Sequence, residues 1–155
     1  MLPILIRYFI FCFISAVLLA LLEIQIEGKN GWAERLPTWR FKLKILDILP
    51  GLQKPITGYH TYFFFSVFFL MHIPFLFMKW DFHTEVIILS AYVLLTRWED
   101  FFWFVFNPNF GLKKFKKEYI SWHPDWFGYI PYQYVYSFII WIILFLEGFR
   151  FINII

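Results

Sequence analysis

The sequence predicts an all-α integral membrane protein, a four-helix bundle with a partly interfacial loop between spans 1 and 2. Four long apolar stretches divide the 155-residue chain, and the stretches 58–78 and 128–146 contain no Asp, Glu, Lys or Arg. Runs of ~20 apolar residues are long enough to cross a bilayer as helices. The composition, 61% hydrophobic and 26% aromatic, far exceeds that of an average soluble domain.

The chain forms one domain, residues 1–155, and we expect its spans at about 3–24, 57–79, 83–106 and 128–149. Pro74 is expected to kink the second span because proline interrupts helical hydrogen bonding. The third span is less uniformly apolar than the others, since it contains three charged residues.

The loop between spans 1 and 2, about residues 25–56, is longer than a tight helical connection needs. Its segment 41–49 alternates lysines with apolar residues. We expect this segment to lie along the membrane surface, with its apolar groups among the lipid headgroups and its lysines in water.

Most of the basic residues lie in the two loops that follow spans 1 and 3. Cytoplasmic loops of membrane proteins are enriched in Lys and Arg. The sequence therefore predicts a multi-pass protein with these two loops in the cytoplasm and both termini on the non-cytoplasmic side.

The net charge of +3 favours contact with anionic lipid headgroups over nucleic acid, and no nucleic-acid-binding motif is present. Four lysines between spans 3 and 4 are typical of a topology signal, and they could also hold anionic headgroups. They are Lys113, Lys114, Lys116 and Lys117. A sizeable pore would require several copies of so small a chain, so a homo-oligomer is left open.

Familiar catalytic motifs are missing. The chain has no glycine-rich phosphate loop, no nucleophile elbow and no His-Glu-x-x-His helix. Its single cysteine, Cys12, excludes an intrachain disulfide and any multi-cysteine metal site.

Carboxylates and imidazoles nevertheless collect at one predicted level, the cytoplasmic end of the bundle. Ionisable groups inside a membrane are costly unless they are paired or bound, so they normally face the bundle interior. The candidate ligands of a metal ion at this level are Glu23, Glu27, His60, Glu99, Asp100 and His123.

Oxygen and nitrogen ligands of this kind suit iron, manganese or zinc. Glu23 and Glu27 are four residues apart and so share one face of a helix. Inward-facing carboxylates and histidines also build the di-iron sites of four-helix bundles, although the Glu-x-x-His pairs of that class are absent. The first hypothesis is therefore a metal-binding pocket, in which the metal would act as a Lewis acid or redox centre on a lipid-soluble substrate.

Three residues are candidates for catalysis. His123 could act as a general base as well as a ligand, with Asp125 orienting its ring. Arg97 could neutralise excess negative charge or hold an anionic group of the substrate. Whether the chain is an enzyme is left open by the sequence.

Two other interpretations remain. The chain could be a non-enzymatic membrane scaffold or accessory subunit, with Arg97 and Asp100 paired at i, i+3 and Glu99 paired with Arg35 or Arg40. It could instead bind lipid headgroups without a metal.

His72 is expected to serve another purpose from His60. On a straight helix, 12 residues place the two histidines ~18 Å apart, too far to share a metal ion. We expect His72 to be a hydrogen-bonded packing residue.

Overall fold

The structure of the protein, a computed structural model, describes residues 3–150 and is mostly helical. These residues contain the four α-helices α1 (Ile4–Glu27), α2 (Gly58–Met71), α3 (Phe82–Phe106) and α4 (Tyr132–Phe149). The all-α prediction and the number of helices are confirmed. The predicted side of the two termini concerns residues 1–2 and 151–155, which lie outside the described residues.

Local sequence signals explain the ends of the helices. α1 runs three residues beyond the predicted end and stops at Gly28, whose φ of 65° suits glycine. α3 begins after Asp81, whose carboxylate accepts hydrogen bonds from the backbone N–H groups of His83 and Thr84. α4 begins at Tyr132 rather than at 128, because Pro131 and the residues before it form a hairpin.

The second predicted span, 57–79, is not one continuous helix. α2 ends at Met71 and a short 3₁₀-helix, Ile73–Leu76, follows it. Pro74 explains the break, since it lacks an N–H group and its ring clashes with the preceding turn. With 14 residues, α2 is about 21 Å long, which is shorter than a bilayer's hydrocarbon layer.

Two short antiparallel hairpins anchor the long loops. β1 (Arg40–Phe41) pairs with β2 (Ile56–Thr57), and β3 (Trp126–Phe127) pairs with β4 (Ile130–Pro131). Within the first hairpin a 3₁₀-helix, Lys44–Ile48, exposes apolar side chains to its surroundings. The hairpins bring both loops to the end of the molecule where α1 and α3 finish and α2 and α4 begin.

α3 is the central helix and packs against both α1 and α4, whereas α2 touches it at few positions. On α1, Cys12, Ala16 and Ala20 recur every fourth residue and are fully buried. Such small side chains on one face let two helices approach closely. On α4, Gly148 has the same effect, because any side chain there would collide with Ile87.

Two helices, α1 and α4, are long and apolar enough to cross a membrane by length and composition. Within their most apolar 18 residues, only 22% and 17% of the residues are buried in the protein. Most of the apolar side chains on these two helices therefore do not pack into the core of the described chain.

Candidate metal centre

The last two turns of α1 supply two buried carboxylates. Glu23 and Glu27 lie one turn apart on the same face and are 4% and 8% exposed. The C-terminal end of a helix carries partial negative charge, so two acidic side chains there are unfavourable without a cation. The predicted shared face of these two residues is confirmed.

His60 is held in a fixed orientation at the start of α2. Thr57 caps this helix: its Oγ1 accepts the His60 N–H at 3.2 Å and lies 2.7 Å from His60 Nδ1. The indole of Trp32 stacks on the imidazole, with 4.0 Å between the ring centroids. These contacts leave the other ring nitrogen, Nε2, facing α1.

The three side chains meet at distances that suit a shared ion. His60 Nε2 lies 3.4 Å from Glu23 Oε1 and 3.5 Å from Glu27 Oε1. One ligand atom from each residue lies within 4.8 Å of the other two. These separations are long for hydrogen bonds. Atoms bound tetrahedrally to one ion at about 2.1 Å, however, are about 3.4 Å apart.

The loop after α1 fixes the second carboxylate. The Ala33 N–H donates to Glu27 Oε1 at 2.5 Å, and Ala33 is fully buried. Trp32 and Ala33 have φ values of 57° and 53°, and no other described residue except glycine has a positive φ. Such conformations cost of the order of 1–3 kcal/mol each and cluster at functional sites.

Glu99 on α3 lies next to this group but is not one of the three residues whose ligand atoms lie within 4.8 Å of one another. Its carboxyl group faces that of Glu23 and interacts with it directly. In the described part of the chain, neither Glu23 Oε1 nor Glu99 Oε1 has a hydrogen-bond partner, although both are buried. Buried polar atoms without a partner are rare and often indicate a missing ion or water.

The predicted ion pairs of α3 are wrong. Within residues 3–150, Glu99 forms no ion pair with Arg35 or Arg40, and Arg40 donates instead to the Ala33 and Thr38 carbonyls. Within the same residues, Asp100 forms no salt bridge with Arg97 either, and the residues that contact its carboxylate, His123 and Tyr134, lie outside α3.

Asp100 contacts the loop before α4 and the start of that helix. Its Oδ2 lies 3.3 Å from His123 Nε2 and accepts a hydrogen bond from the Tyr134 hydroxyl. His123 is almost completely buried, and desolvation lowers its pKa. Asp100 and His123 thus form a pair outside the three-residue group of Glu23, Glu27 and His60.

Asp125 does not orient His123 as predicted. Its Oδ2 accepts hydrogen bonds from the Gly51 N–H at 2.9 Å and from the Gln53 amide at 2.8 Å. These two donors lower the pKa of Asp125. Its role is to join the two long loops.

A cavity of about 660 Å³ opens beside the three-residue group, and we call it the polar cavity. It brings carboxylates and cations against an apolar wall. The carboxylate, imidazole and cationic side chains that line it are Glu23, Lys54, His60, Arg97, Glu99 and Asp100, and the apolar ones include Leu49, Leu52, Phe64, Ile139 and Ile140.

Lys54 is one of two cations in the polar cavity. Its Nζ lies 3.3 Å above the centre of the Trp32 ring, a favourable cation–π contact. Loss of solvent lowers the pKa of Lys54 to about 7. Its ammonium group therefore titrates in the physiological range.

Three contributors were not among the predicted site residues: Trp32, Lys54 and Thr57. Thr57 could have been found, because a threonine three residues before His60, at the start of an apolar run, is a helix-capping pattern. Trp32 and Lys54 lie in a long loop whose path no local pattern reveals.

The remaining predicted residues lie apart from the three-residue group. The prediction for His72 is confirmed, since its Nδ1 bonds the Phe68 carbonyl at 2.7 Å and its Nε2 bonds Glu85 at 3.1 Å. The predicted headgroup ligands, Lys113, Lys114, Lys116 and Lys117, are exposed on the loop after α3.

Comparison of the chain with protein-family models, with curated proteins and with solved structures finds no match.

Proposed function

We propose that the chain is a multi-pass membrane protein that binds one divalent or redox metal ion through Glu23, Glu27 and His60. The observation that carries the proposal is the position of His60 Nε2, 3.4 and 3.5 Å from two buried carboxylate oxygens. Iron, manganese and zinc all accept this mixture of oxygen and nitrogen ligands.

The surface of the helices supports the membrane setting. On α1, Phe11, Ile14, Leu18 and Leu22 are 50–62% exposed, and large apolar side chains are exposed on the other helices too. A helix in a soluble core meets the same length and composition criteria, but it is mostly buried. Apolar surface of this extent in a monomer marks contact with lipid or with another protein.

Electrostatics supports a cation at the three-residue group. Two carboxylates lie at the negatively polarised end of α1, and a third, that of Glu99, adjoins them from α3. Like charges this close and this buried cannot all persist without a proton or a cation. The Thr57 contact to Nδ1 leaves Nε2 of His60 as the ligand atom, as in metal sites where a second contact orients the imidazole.

The polar cavity supports a role in chemistry on a lipid-soluble substrate. Its apolar wall would receive the hydrocarbon part, while Glu99, which adjoins Glu23, would serve as a proton acceptor or a further ligand of the ion. When bound, the ion would supply Lewis-acid or redox chemistry.

Metal analysis of the purified protein tests this proposal. The protein is washed with a chelator, loaded separately with Fe²⁺, Mn²⁺ or Zn²⁺, desalted and analysed for metal per chain. We expect about one ion per chain for at least one metal, and at least tenfold less for His60→Asn. His72→Asn is the matched control, since it removes an imidazole from the same segment but outside the centre.

Equal metal content in the wild-type protein and His60→Asn would contradict the proposal. It would favour a scaffold whose buried carboxylates and imidazoles serve only to position the helices.

A further inference from the structure

A second cavity, of about 620 Å³, lies between α3 and α4, and we call it the apolar groove. Aromatic and aliphatic side chains form nearly all of its wall, among them Leu94, Trp98, Phe101, Phe115, Phe138 and Trp141. Among residues 3–150, Arg97 is the only charged side chain that lines it, and Tyr134 and Ser137 add hydroxyl groups.

Arg97 stands where the apolar groove meets the polar cavity, because it lines both of them. Ser137 does the same from α4. Between them, Tyr134 lines the groove with its ring and donates its hydroxyl hydrogen to Asp100, which lines the polar cavity. One charged side chain is therefore available from either cavity.

The guanidinium group of Arg97 is left with unused donors. Among residues 3–150 it has no ion-pair partner within 4.0 Å and no hydrogen bond, and its guanidinium carbon lies 5.9 Å from the centre of the Tyr134 ring. A guanidinium group offers five donors and fits a carboxylate with two parallel hydrogen bonds. A cation next to an apolar groove is complementary to an anion that carries a hydrocarbon chain.

We propose that the apolar groove binds the chain of a single-chain lipid acid, and that Arg97 holds its carboxylate beside the polar cavity. This inference rests on the proposed function and names the substrate class of the same site. The groove has the size of a small-molecule pocket and suits one alkyl chain better than the two of a phospholipid.

A carboxylate fits the junction better than a phosphate does. Glu99 and Asp100 line the polar cavity together with Arg97, so a ligand there meets negative as well as positive charge. A monoanion is repelled by these two residues less than a phosphate monoester, which carries between one and two negative charges near neutral pH.

Quenching of tryptophan fluorescence tests the assignment, because Trp98 and Trp141 line the groove. The protein is placed in nanodiscs of zwitterionic lipid and titrated with a brominated long-chain fatty acid. Two further ligands are its methyl ester and a brominated single-chain lipid with a phosphate head. Unlabelled acid serves as competitor, so that specific quenching is separated from partition into the bilayer.

We expect saturable quenching by the acid that the unlabelled acid reverses. The methyl ester should bind at least tenfold more weakly, and Arg97→Gln should weaken binding of the acid about tenfold or more. Arg97→Lys should lose less, because it keeps the charge. Arg7→Gln, which removes an exposed arginine from α1, is the matched control and should bind as the wild type does.

Three results would overturn the inference: equal binding of acid and ester, undiminished binding by Arg97→Gln, or tighter binding of the phosphate lipid. Metal content, measured on the same samples, separates this inference from the proposed function. Arg97→Gln should keep its ion, which also reports that it is folded. Saturable acid binding by a wild-type protein that holds no metal would refute the metal centre and leave the Arg97 assignment standing.

Discussion

Two histidines lie at opposite ends of α2, and each faces glutamate. At the C-terminal end, both ring nitrogens of His72 have a partner: the Phe68 carbonyl and the Glu85 carboxylate. Glu85 also accepts a hydrogen bond from the Trp80 indole. The His72 and Glu85 side chains are 21% and 22% exposed. Every group in this pair is satisfied within the protein.

At the N-terminal end, only one nitrogen of His60 has such a partner. Its Nε2 faces Glu23 and Glu27 at distances beyond a good hydrogen bond, and the three side chains are 9% exposed or less. The comparison shows that the same residue types can form a satisfied surface pair or an unsatisfied buried group.

Metal should stabilise the protein through one histidine and not the other. At a free metal concentration of 1,000 times the Kd, the free energy of unfolding of the wild type should rise by about 4 kcal/mol. His60→Asn should lose this gain, and His72→Asn should keep it. Denaturant unfolding in detergent, with and without the metal, measures both. If the metal changed the free energy of unfolding equally in the two variants, His60 and His72 would not differ in metal binding, which would contradict the proposed centre.

The Tyr134–Asp100 hydrogen bond should contribute to stability without metal. Tyr134→Phe removes a partly buried hydroxyl that donates to a carboxylate, and we expect it to lower the free energy of unfolding by about 1–3 kcal/mol. Tyr136→Phe, two residues along α4, is the matched control. Chemical denaturation of metal-free samples compares them, and equal losses would show that the bond to Asp100 contributes nothing specific.

Lys54 should make stability depend on pH. Its pKa is about 7 in the folded protein, lowered by loss of solvent, against 10.5 for a free lysine. Between these values the unfolded chain binds more protons than the folded one, so the free energy of unfolding rises with pH. From pH 7 to 8 the gain is about 1 kcal/mol.

Unfolding of the wild type and Lys54→Met, each at pH 7 and pH 8, isolates this contribution. The substitution should remove the increment, whereas Lys113→Met, at an exposed lysine, should leave it. A wild-type increment that survives in Lys54→Met would assign it to another group.

The smallest effect is expected at the satisfied pair. Glu85→Gln removes a partly exposed charge that pairs with His72, and such pairs contribute about 0–1 kcal/mol. Metal content should not change. A loss of metal in Glu85→Gln would contradict the proposal that the ion binds at His60 and not at His72.

The grouping of the polar residues at one end could be predicted from the sequence, because consecutive antiparallel helices bring the end of one helix and the start of the next to the same side of a bundle. The shared face of Glu23 and Glu27 followed from helical periodicity alone. The packing role of His72 followed from its distance to His60. Both predictions depend only on the spacing of residues along one helix, which can be read from the sequence.

The partners of α3 could not be predicted in the same way. Spacing i, i+3 permits a pair between Arg97 and Asp100, yet Asp100 contacts His123 and Tyr134, which lie 23 and 34 residues away in the chain. That choice depends on how the two long loops fold over the helix ends. For the same reason Asp125 bonds Gly51 and Gln53 rather than His123.

The end of α2 is predicted in part. Pro74 indicates that the helix is disturbed there, and the sequence predicts a kink. The helix stops instead, because His72 and the residues after it turn into a 3₁₀-helix once hydrogen bonding is interrupted.

X-ray absorption spectroscopy of the metal-loaded protein identifies the ligands of the proposed ion. We predict one ion per chain, bound by oxygen and nitrogen at about 2.0–2.2 Å, with an imidazole signal that disappears in His60→Asn and persists in His72→Asn. An ion coordinated only by water, a sulfur ligand, or an imidazole signal that survives in His60→Asn would contradict it.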